Sequence, residues 1–248
     1  MRILIVIAAL VCTHTLGAQA INQVKVHSHN DYQQAHPFKE AYQSGAYSIE
    51  VDIFLKRDTL FVTHDEADIA MGAPDLETRY LRPIQSEFKK GTLREIQLLI
   101  DIKSVSKPTL LRLTEILQNY HALIQSKKVK WVISGNRPPP AAYVTYPDYL
   151  FFDYQSLDDV EDPKFWDRVA LISLPFYNYS KWDGKSELPA TERQKIFKII
   201  KKAHEFKKPF RFWATPDTII AWETFAQMGL DFINTDQPSA CMMTLHPK

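Results

Sequence analysis

Five side chains that can bind a metal or transfer a proton lie close together in the sequence: His27, His29, Glu50, Asp52 and His64. Each is inside or just beyond an apolar, β-prone run. Side chains on a strand alternate between its two faces, so the first two histidines share one face, as do the two carboxylates. Carboxylates that point the same way repel each other unless a cation lies between them. The stretch therefore predicts a functional site that holds a hard divalent metal ion.

A structural interpretation of the two carboxylates competes with this one. Glu50 and Asp52 could form a solvated strand face that binds nothing. The residues that alternate with them are apolar and indicate that the other face of the strand is buried: Ile49, Val51 and Ile53. Because both carboxylates also lie near a strand end, we interpret them as metal ligands.

The histidines also allow structural roles. His64 could pair with the adjacent Asp65 only to cap a loop. His27 could support a neighbouring ligand instead of contacting the metal or the substrate itself.

The first twenty residues have the features of a secretory signal peptide. Arg2 precedes an apolar run from Ile3 to Cys12, and the small residues Ala18 and Ala20 fit a cleavage site. A membrane anchor is the alternative, but the run is shorter than the ~20 residues that span a bilayer. We therefore expect residues 21–248 to be exported, to the periplasm or outside the cell, with no stable membrane span after cleavage.

Charge and cysteine content limit the possible functions of the exported chain. Cleavage would remove Arg2 and no acidic residue, which leaves 29 basic and 29 acidic residues. Nucleic-acid binding requires a basic surface, so we expect no nucleic-acid partner. Cys241 would be the remaining cysteine, so the fold must depend on its core and not on an intrachain disulfide.

Strand-like and helix-like patterns alternate along residues 21–248. Eight strand candidates are apolar and β-prone: Lys25–His29, Tyr47–Phe54 extended by Leu60–Thr63, Gln97–Ile102, Val129–Ser134, Tyr149–Tyr154, Val169–Leu174, Phe210–Ala214 and Asp231–Asn234. Helix-like or turn-like segments separate them: Pro37–Ser44, Thr92–Glu95, Pro108–Ser126, Pro138–Val144, Pro163–Asp167, Thr191–Lys207 and Thr218–Met228. This alternation predicts an α/β fold, a single (β/α)₈ TIM barrel.

The active site of such a barrel lies where the strands end and the following loops gather. The polar residues of this sequence occur at those positions: His27 to Asp31, Glu50 and Asp52 with His64, Asp101 and Lys103, Ser134 to Arg137, Trp213, and Asn234 to Asp236. We therefore expect these residues to surround one cavity.

Six motifs in this order resemble those of the glycerophosphodiester phosphodiesterases, within the phosphatidylinositol-phospholipase-C-like superfamily: HNDY, SGAYSIEVDIFLKRDTLFVTHDE, LLIDIKS, WVISG, FRFWATPD and MGLDFINTDQP. The resemblance extends from Val26 to about Pro238, and the HSHNDY opening is similar to an uncharacterised branch of the superfamily. One of these motifs departs from the family pattern. Asn30 and Asp31 follow His29 where the family has arginine and glycine, so the usual arginine contact to phosphate is missing at this point.

The resemblance implies that Glu50, Asp52 and Asp101 bind one divalent cation and that His29 and His64 are the catalytic acid and base. The chemistry of phosphodiester cleavage agrees. The non-bridging oxygens need a cation such as Ca²⁺ or Mg²⁺, and two histidines titrate in the range that proton transfer requires. The attacking group in this superfamily is often a hydroxyl of the substrate, which gives a cyclic phosphate.

Four further residues are candidates for substrate contact. Lys103 would add positive charge beside the phosphate, and Asn30 follows the first catalytic histidine. Trp213 could form an apolar wall for the alcohol moiety or only pack the barrel, and His27 lies on the same face as His29. The expected substrate is a small-molecule or lipid-derived phosphodiester. Glycerol, sugar, inositol and lysolipid alcohols all fit.

Two other classes of function share these features. Amidohydrolase-like and histidinol-phosphatase-like barrels also begin with a His-x-His motif, but they need histidines on later strands. Here His121 and His204 occur in helix-like segments. A catalytically inactive barrel that binds a phosphorylated ligand is the other alternative, because fold alone does not establish activity.

Overall fold

The computed structural model describes residues 24–247, so the proposed signal peptide over residues 1–20 lies outside the described part. Nine strands form one sheet: β1 Lys25–Ser28, β2 Ser48–Lys56, β3 Thr59–Val62, β4 Ile96–Ile102, β5 Val129–Gly135, β6 Leu150–Tyr154, β7 Val169–Pro175, β8 Phe210–Trp213 and β9 Phe232–Thr235. All neighbours pair in parallel except β3, which is antiparallel to β2. Because β1 pairs with both β2 and β9, the eight parallel strands close into a barrel. The predicted single (β/α)₈ barrel is confirmed.

Helices surround the barrel on the outside. Nine α-helices occur in the described residues: α1 Lys39–Ser44, α2 Ala67–Ala70, α3 Arg82–Lys89, α4 Ser106–Gln118, α5 His121–Ser126, α6 Pro163–Arg168, α7 Ala190–Glu205, α8 Ile219–Gln227 and α9 Pro238–Leu245. A π-helical turn, Glu77–Leu81, leads directly into α3. None of these helices is long and apolar enough to cross a membrane.

Apolar side chains fill the barrel at one end and leave the other end polar. Leu99, Val132, Leu171 and Phe232 project inward from different strands and form a small buried cluster. A much larger apolar cluster lies between the strands and the outer helices. The interior positions nearer the carboxyl ends of the strands carry buried polar residues instead: His27, Glu50, Ser134, Asp153, Ser173, Arg211 and Asn234. The core therefore supports a polar site at one end of the barrel.

Several predicted elements differ from the structure. Leu60–Thr63 is not an extension of the preceding strand, because the chain reverses at Arg57, whose φ is 53°, and returns as β3. Thr92–Glu95 is not helical, and the helical segment before β4 is Glu77–Lys89. That segment contains Pro83, which ordinarily ends a helical pattern but here occupies the second position of α3.

The differences at the other helices are smaller. The predicted helix Pro108–Ser126 divides into α4 and α5, and the predicted helix Pro138–Val144 is a 3₁₀ segment, Pro140–Thr145. Helix α9 was not predicted from the sequence.

Asp31 fixes the loop that follows β1. Its buried carboxylate accepts hydrogen bonds from the Phe38 backbone N–H at 2.6 Å, the Tyr80 hydroxyl at 2.9 Å and the Ser28 hydroxyl at 3.0 Å. These bonds tie the loop to α1 and to the π-helical turn. Asp31 therefore has a structural role in this loop and does not line the cavity of the candidate site.

We expect Asp31→Ala to lower the free energy of unfolding by about 1–3 kcal/mol, because the buried partners lose their acceptor. Urea unfolding of the two proteins measures this difference. Asp159→Ala is the control, since Asp159 is exposed and should leave stability unchanged within about 0.5 kcal/mol. Equal stability of both variants would contradict the assigned role of Asp31.

Candidate active site

Three carboxylates meet at the polar end of the barrel. Glu50 and Asp52 lie on one face of β2, and Asp101 lies on β4 directly opposite Asp52 in the parallel register. One oxygen of each carboxylate lies within 4.8 Å of those of the other two. Adjacent strands thus bring the three predicted metal ligands into a single cluster.

Burial and mutual repulsion perturb the acidity of this cluster. Burial and the charge of Glu50 raise the pKa of Asp101 to about 6, and the same two causes raise the pKa of Asp52. Burial alone would also raise the pKa of Glu50, but a hydrogen bond from His27 and the charge of Arg211 lower it. Ionisation of Asp52 and Asp101 therefore carries an electrostatic cost, which a bound cation would remove.

The donor set fits a hard divalent cation. Every candidate ligand atom is a carboxylate oxygen, the donor that Ca²⁺ and Mg²⁺ prefer. The Oδ1 atom of Asp52 is buried and has no hydrogen-bond partner among the described residues. An orphaned buried carboxylate oxygen is uncommon in a folded protein. A cation held by Glu50, Asp52 and Asp101 would satisfy it.

Lys103 lies between two members of the cluster. Its Nζ is 3.0 Å from Asp101 Oδ1 and 3.2 Å from Asp52 Oδ2. Burial alone would lower the pKa of Lys103, but the charges of these two carboxylates raise it. The side chain therefore remains a cation at the edge of the cluster, where it can reach an anionic ligand.

His29 faces the cavity from the end of β1. Its Nδ1 is 2.7 Å from Asp236 Oδ1, which follows the last strand. Burial alone would lower the pKa of His29, but the hydrogen bond to Asp236 and the charge of Glu50 raise it above the ordinary value. Asp236, one of the residues expected to surround the cavity, thus orients a candidate catalytic residue.

His64 approaches the cluster from the opposite side. The hairpin formed by β2 and β3 returns the chain to Asp52, so that His64 Nδ1 lies 2.8 Å from Asp52 Oδ2. The His64 side chain is 57% exposed and lines the cavity. His29 and His64 therefore share one arrangement, in which Nδ1 bonds a carboxylate and Nε2 remains for a substrate.

His27 is buried beneath Glu50. Ser48 Oγ lies 2.7 Å from Nδ1, and Nε2 lies 2.6 Å from Glu50 Oε2. Burial and the charge of Arg211 lower the pKa of His27 to about 4, so the ring is neutral and can donate one hydrogen bond to Glu50. The side chain is fully buried and does not line the cavity, which favours the supporting role of His27 over a contact with the substrate.

A cavity of about 540 Å³ connects these groups. Both predicted catalytic histidines, Glu50, Asp101 and Lys103 line it. So do Asn30 and Trp213, two of the predicted substrate contacts. Trp213 packs edge-on against Tyr177 at a ring distance of 5.6 Å.

Two other residues of the site were not singled out from the sequence. Tyr32 donates a hydrogen bond from its hydroxyl to Asp52 Oδ2 at 2.9 Å. Arg211 on β8 lines the cavity and donates from Nη1 to Glu50 Oε2 at 3.0 Å. The period of two along β8 contained the signal for Arg211, because this residue shares a strand face with Trp213.

The chain is similar in sequence to one protein family and to several known proteins. A family described as the AIM6-like phosphodiesterase domain matches residues 17–93. The Altered inheritance of mitochondria protein 6 homolog of Arthroderma benhamiae is 28% identical over 90% of this chain and 84% of its own length. Altered inheritance of mitochondria protein 6 of Eremothecium gossypii is 26% identical over 87% of this chain and 68% of its own length.

Solved structures share the fold. A glycerophosphodiester phosphodiesterase from Parabacteroides distasonis aligns with a TM-score of 0.61 and 18% identity over 90% of this chain and 97% of its own. One from Agrobacterium tumefaciens aligns with a TM-score of 0.57 and 13% identity over 89% of this chain and 98% of its own. The predicted resemblance to the glycerophosphodiester phosphodiesterases is confirmed at the level of the fold.

Gly135, at the end of β5, provides a test of the carboxylate cluster. Its φ is 66°, and a Cβ at this position would lie 2.2 Å from Asp101 Oδ1 and 2.6 Å from the Ile102 carbonyl oxygen. We expect Gly135→Ala to displace Asp101 and to weaken divalent-cation binding by about 10- to 100-fold. Isothermal titration with Mg²⁺ or Ca²⁺ measures the change.

Gly91→Ala is the matched control. Gly91 has a similar φ of 75°, but a Cβ there meets nothing within 4 Å. The control therefore carries comparable backbone strain and should retain wild-type cation affinity. Unchanged cation affinity in Gly135→Ala would show that Asp101 is not a ligand.

Proposed function

We propose that this protein is a metal-dependent phosphodiesterase that cleaves a glycerophosphodiester or a related phosphodiester. One observation supports this function most directly. His29 and His64 face a cluster of three carboxylates in a single cavity, and each is held through Nδ1 by a carboxylate. This arrangement combines a cation site with two groups able to transfer protons.

The charges around the cavity favour a reaction that uses a cation. Among the described residues, the carboxylates at or beneath the cavity outnumber the fixed cations: Glu50, Asp52, Asp101 and Asp153 against Lys103 and Arg211. An anionic phosphodiester would be repelled from such a cavity. A bound Ca²⁺ or Mg²⁺ would reverse that repulsion and withdraw charge from the non-bridging oxygens.

The protein side chains would perform the proton transfers. One histidine accepts the proton of the attacking hydroxyl at Nε2, and the other donates a proton from Nε2 to the departing alkoxide. Asp236 and Asp52 hold the two rings in orientation, each through a hydrogen bond to Nδ1. The attacking hydroxyl belongs to water or to the substrate, and attack by the substrate hydroxyl gives a cyclic phosphate.

The aromatic lining of the cavity indicates what kind of alcohol the substrate carries. Trp213 lines the cavity and packs against Tyr177, and its aromatic surface suits the carbon skeleton of an alcohol such as glycerol, a sugar or a lysolipid. We also propose export of the protein, on the basis of the signal-like residues 1–20.

No observation favours the amidohydrolase-like or histidinol-phosphatase-like alternative. His121 begins α5, and His204 lies near the end of α7, where its Nε2 bonds Asp231 at 2.7 Å. Neither lines the cavity.

Removal of the cation should abolish activity. We expect turnover of a chromogenic phosphodiester to stop in excess chelator and to return when Mg²⁺ or Ca²⁺ is added. Asp101→Asn should lower kcat/KM by about 100-fold or more, because loss of a ligand exceeds the 10- to 100-fold effect of supporting residues. Asp159→Asn, at an exposed position, is the control. Full turnover in chelator would refute the metal-dependent function.

The two histidines should produce a bell-shaped dependence of kcat on pH, and each His→Ala change should lower kcat by about 10²–10⁴-fold. A substrate with p-nitrophenolate as the leaving group needs little protonation. It should rescue the variant that lacks the acid but not the variant that lacks the base. Near wild-type rates in both variants, with the cation bound, would assign the chemistry to other residues.

Asp236→Asn tests the orientation of His29 through the same pH profile. The hydrogen bond to Asp236 raises the pKa of His29, so its loss should lower that pKa. The limb of the profile that belongs to His29 should therefore move to lower pH, while the other limb stays in place. A profile that does not move would separate Asp236 from the reaction.

A further inference from the structure

The loop after β1 provides no cation for the substrate. Asn30 and Asp31 stand where the resembling family has arginine and glycine. The Asn30 side chain is near the Tyr32 hydroxyl, which donates to its Oδ1 at 3.3 Å, and Asp31 faces away into the buried bonds that fix the loop. A cation that assists Lys103 must therefore come from another strand.

Arg211 enters the same cavity from β8. The residue is 3% exposed and lies across the barrel from Lys103. Its Nη1 donates to Glu50 Oε2 at 3.0 Å and to Asn234 Oδ1 at 3.1 Å, and it also contacts the His27 ring. One nitrogen of the guanidinium thus holds the side chain in place at the cluster.

The rest of the guanidinium is incompletely bonded. Nε is buried without a hydrogen-bond partner among the described residues. Nη2 is 3.6 Å from Asp153 Oδ2, which is longer than an ordinary hydrogen bond. That Asp153 oxygen already accepts from the Ser173 hydroxyl at 2.7 Å and from the Ser134 hydroxyl at 3.0 Å. Arg211 therefore retains hydrogen-bond donors at Nε and Nη2 without close acceptors, although buried donors are normally paired.

We propose that Arg211 contacts the non-bridging oxygens of the bound phosphate group. A planar guanidinium with two unused donor positions matches the oxygens of a phosphate, and its charge is permanent. The inference rests on the proposed function for the nature of the ligand. It adds that Arg211 of β8 supplies the positive charge that the loop after β1 lacks.

Binding of inorganic phosphate tests this assignment without turnover. Titration of phosphate into the Mg²⁺-loaded wild-type protein should show saturable binding. We expect Arg211→Gln to weaken that binding by about 10- to 100-fold, the range for hydrogen bonds to charged groups. Arg211→Lys should lie between the two, because lysine keeps the charge but lacks the planar pair of donors.

Cation affinity separates phosphate contact from a structural role. Arg211 also contacts Glu50, so a merely supporting arginine would weaken Mg²⁺ binding when it is lost. Phosphate contact predicts instead that Arg211→Gln binds Mg²⁺ at least as tightly as the wild type, because a positive charge next to the ligands is gone. Arg112→Gln, on the outside of the barrel, is the control and should change neither affinity.

The second test moves the arginine from β8 to the loop after β1. Asn30 lines the same cavity, so Asn30→Arg in the Arg211→Gln background should recover at least about tenfold of the lost phosphate affinity. Asn30 has a φ of 46°, which disfavours an arginine, so we expect this variant to be less stable than the wild type but folded. If Arg211→Gln does not fold, Arg211→Lys with and without Asn30→Arg gives the same comparison.

Several results would overturn the proposal. They are the absence of phosphate binding to the loaded wild type, unchanged phosphate affinity in Arg211→Gln, and a parallel loss of phosphate and Mg²⁺ affinity. Phosphate binding that depends on Arg211, in a protein that cleaves no phosphodiester, would refute the proposed function and leave the role of Arg211 intact.

Discussion

Electrostatic repulsion among three buried carboxylates is the constraint on which the candidate site depends. Glu50, Asp52 and Asp101 have carboxylate oxygens within 4.8 Å of one another, because the first two share one face of β2 and Asp101 pairs with Asp52 from β4. The barrel cannot separate them without changing its register, so their surroundings must compensate. Lys103 and Arg211 do so at opposite sides of the cluster, while the Asp52 oxygen that neither reaches retains an open position for a cation. Burial strengthens each of these interactions, because little water screens them.

The polar interior of the barrel is the support for that cluster. The hydroxyl of Ser48 receives a hydrogen bond from Gln97 and lies against His27, which in turn bonds Glu50. The neutral state of His27 allows this chain of donors to end on the carboxylate. An apolar residue at position 27 would leave Glu50 without its strongest neutral partner. His27 thus supports the candidate metal site through its bond to Glu50.

The sequence predicted the barrel and most of the site because both follow from the period of two in strands and from the position of strand ends. Glu50 and Asp52 are recognisable for that reason, and so is Asp101. Arg211 was missed because a charged residue between two phenylalanines has no obvious role until β8 takes its place between β7 and β9 in the closed barrel. The contact of Asp236 with His29 was not predicted, since a contact between residues 207 positions apart has no local signal. Helix Glu77–Lys89 was missed because Pro83 suggests a break, whereas only the observed start of α3 makes that proline acceptable.

The two histidine–carboxylate contacts of the candidate site should form at different stages of folding, because the β2–β3 hairpin makes one of them local in sequence. His64 and Asp52 are 12 residues apart, and their contact closes a small loop, whereas His29 and Asp236 are 207 residues apart. Local contacts form at little entropic cost, and distant ones wait for the chain to come together. One histidine can therefore be in position early, while the other acquires its carboxylate only when the last strand joins the first. The proposed activity would then report the final closure of the barrel, and a chain that stalls before it would hold only one of the two candidate histidines in position.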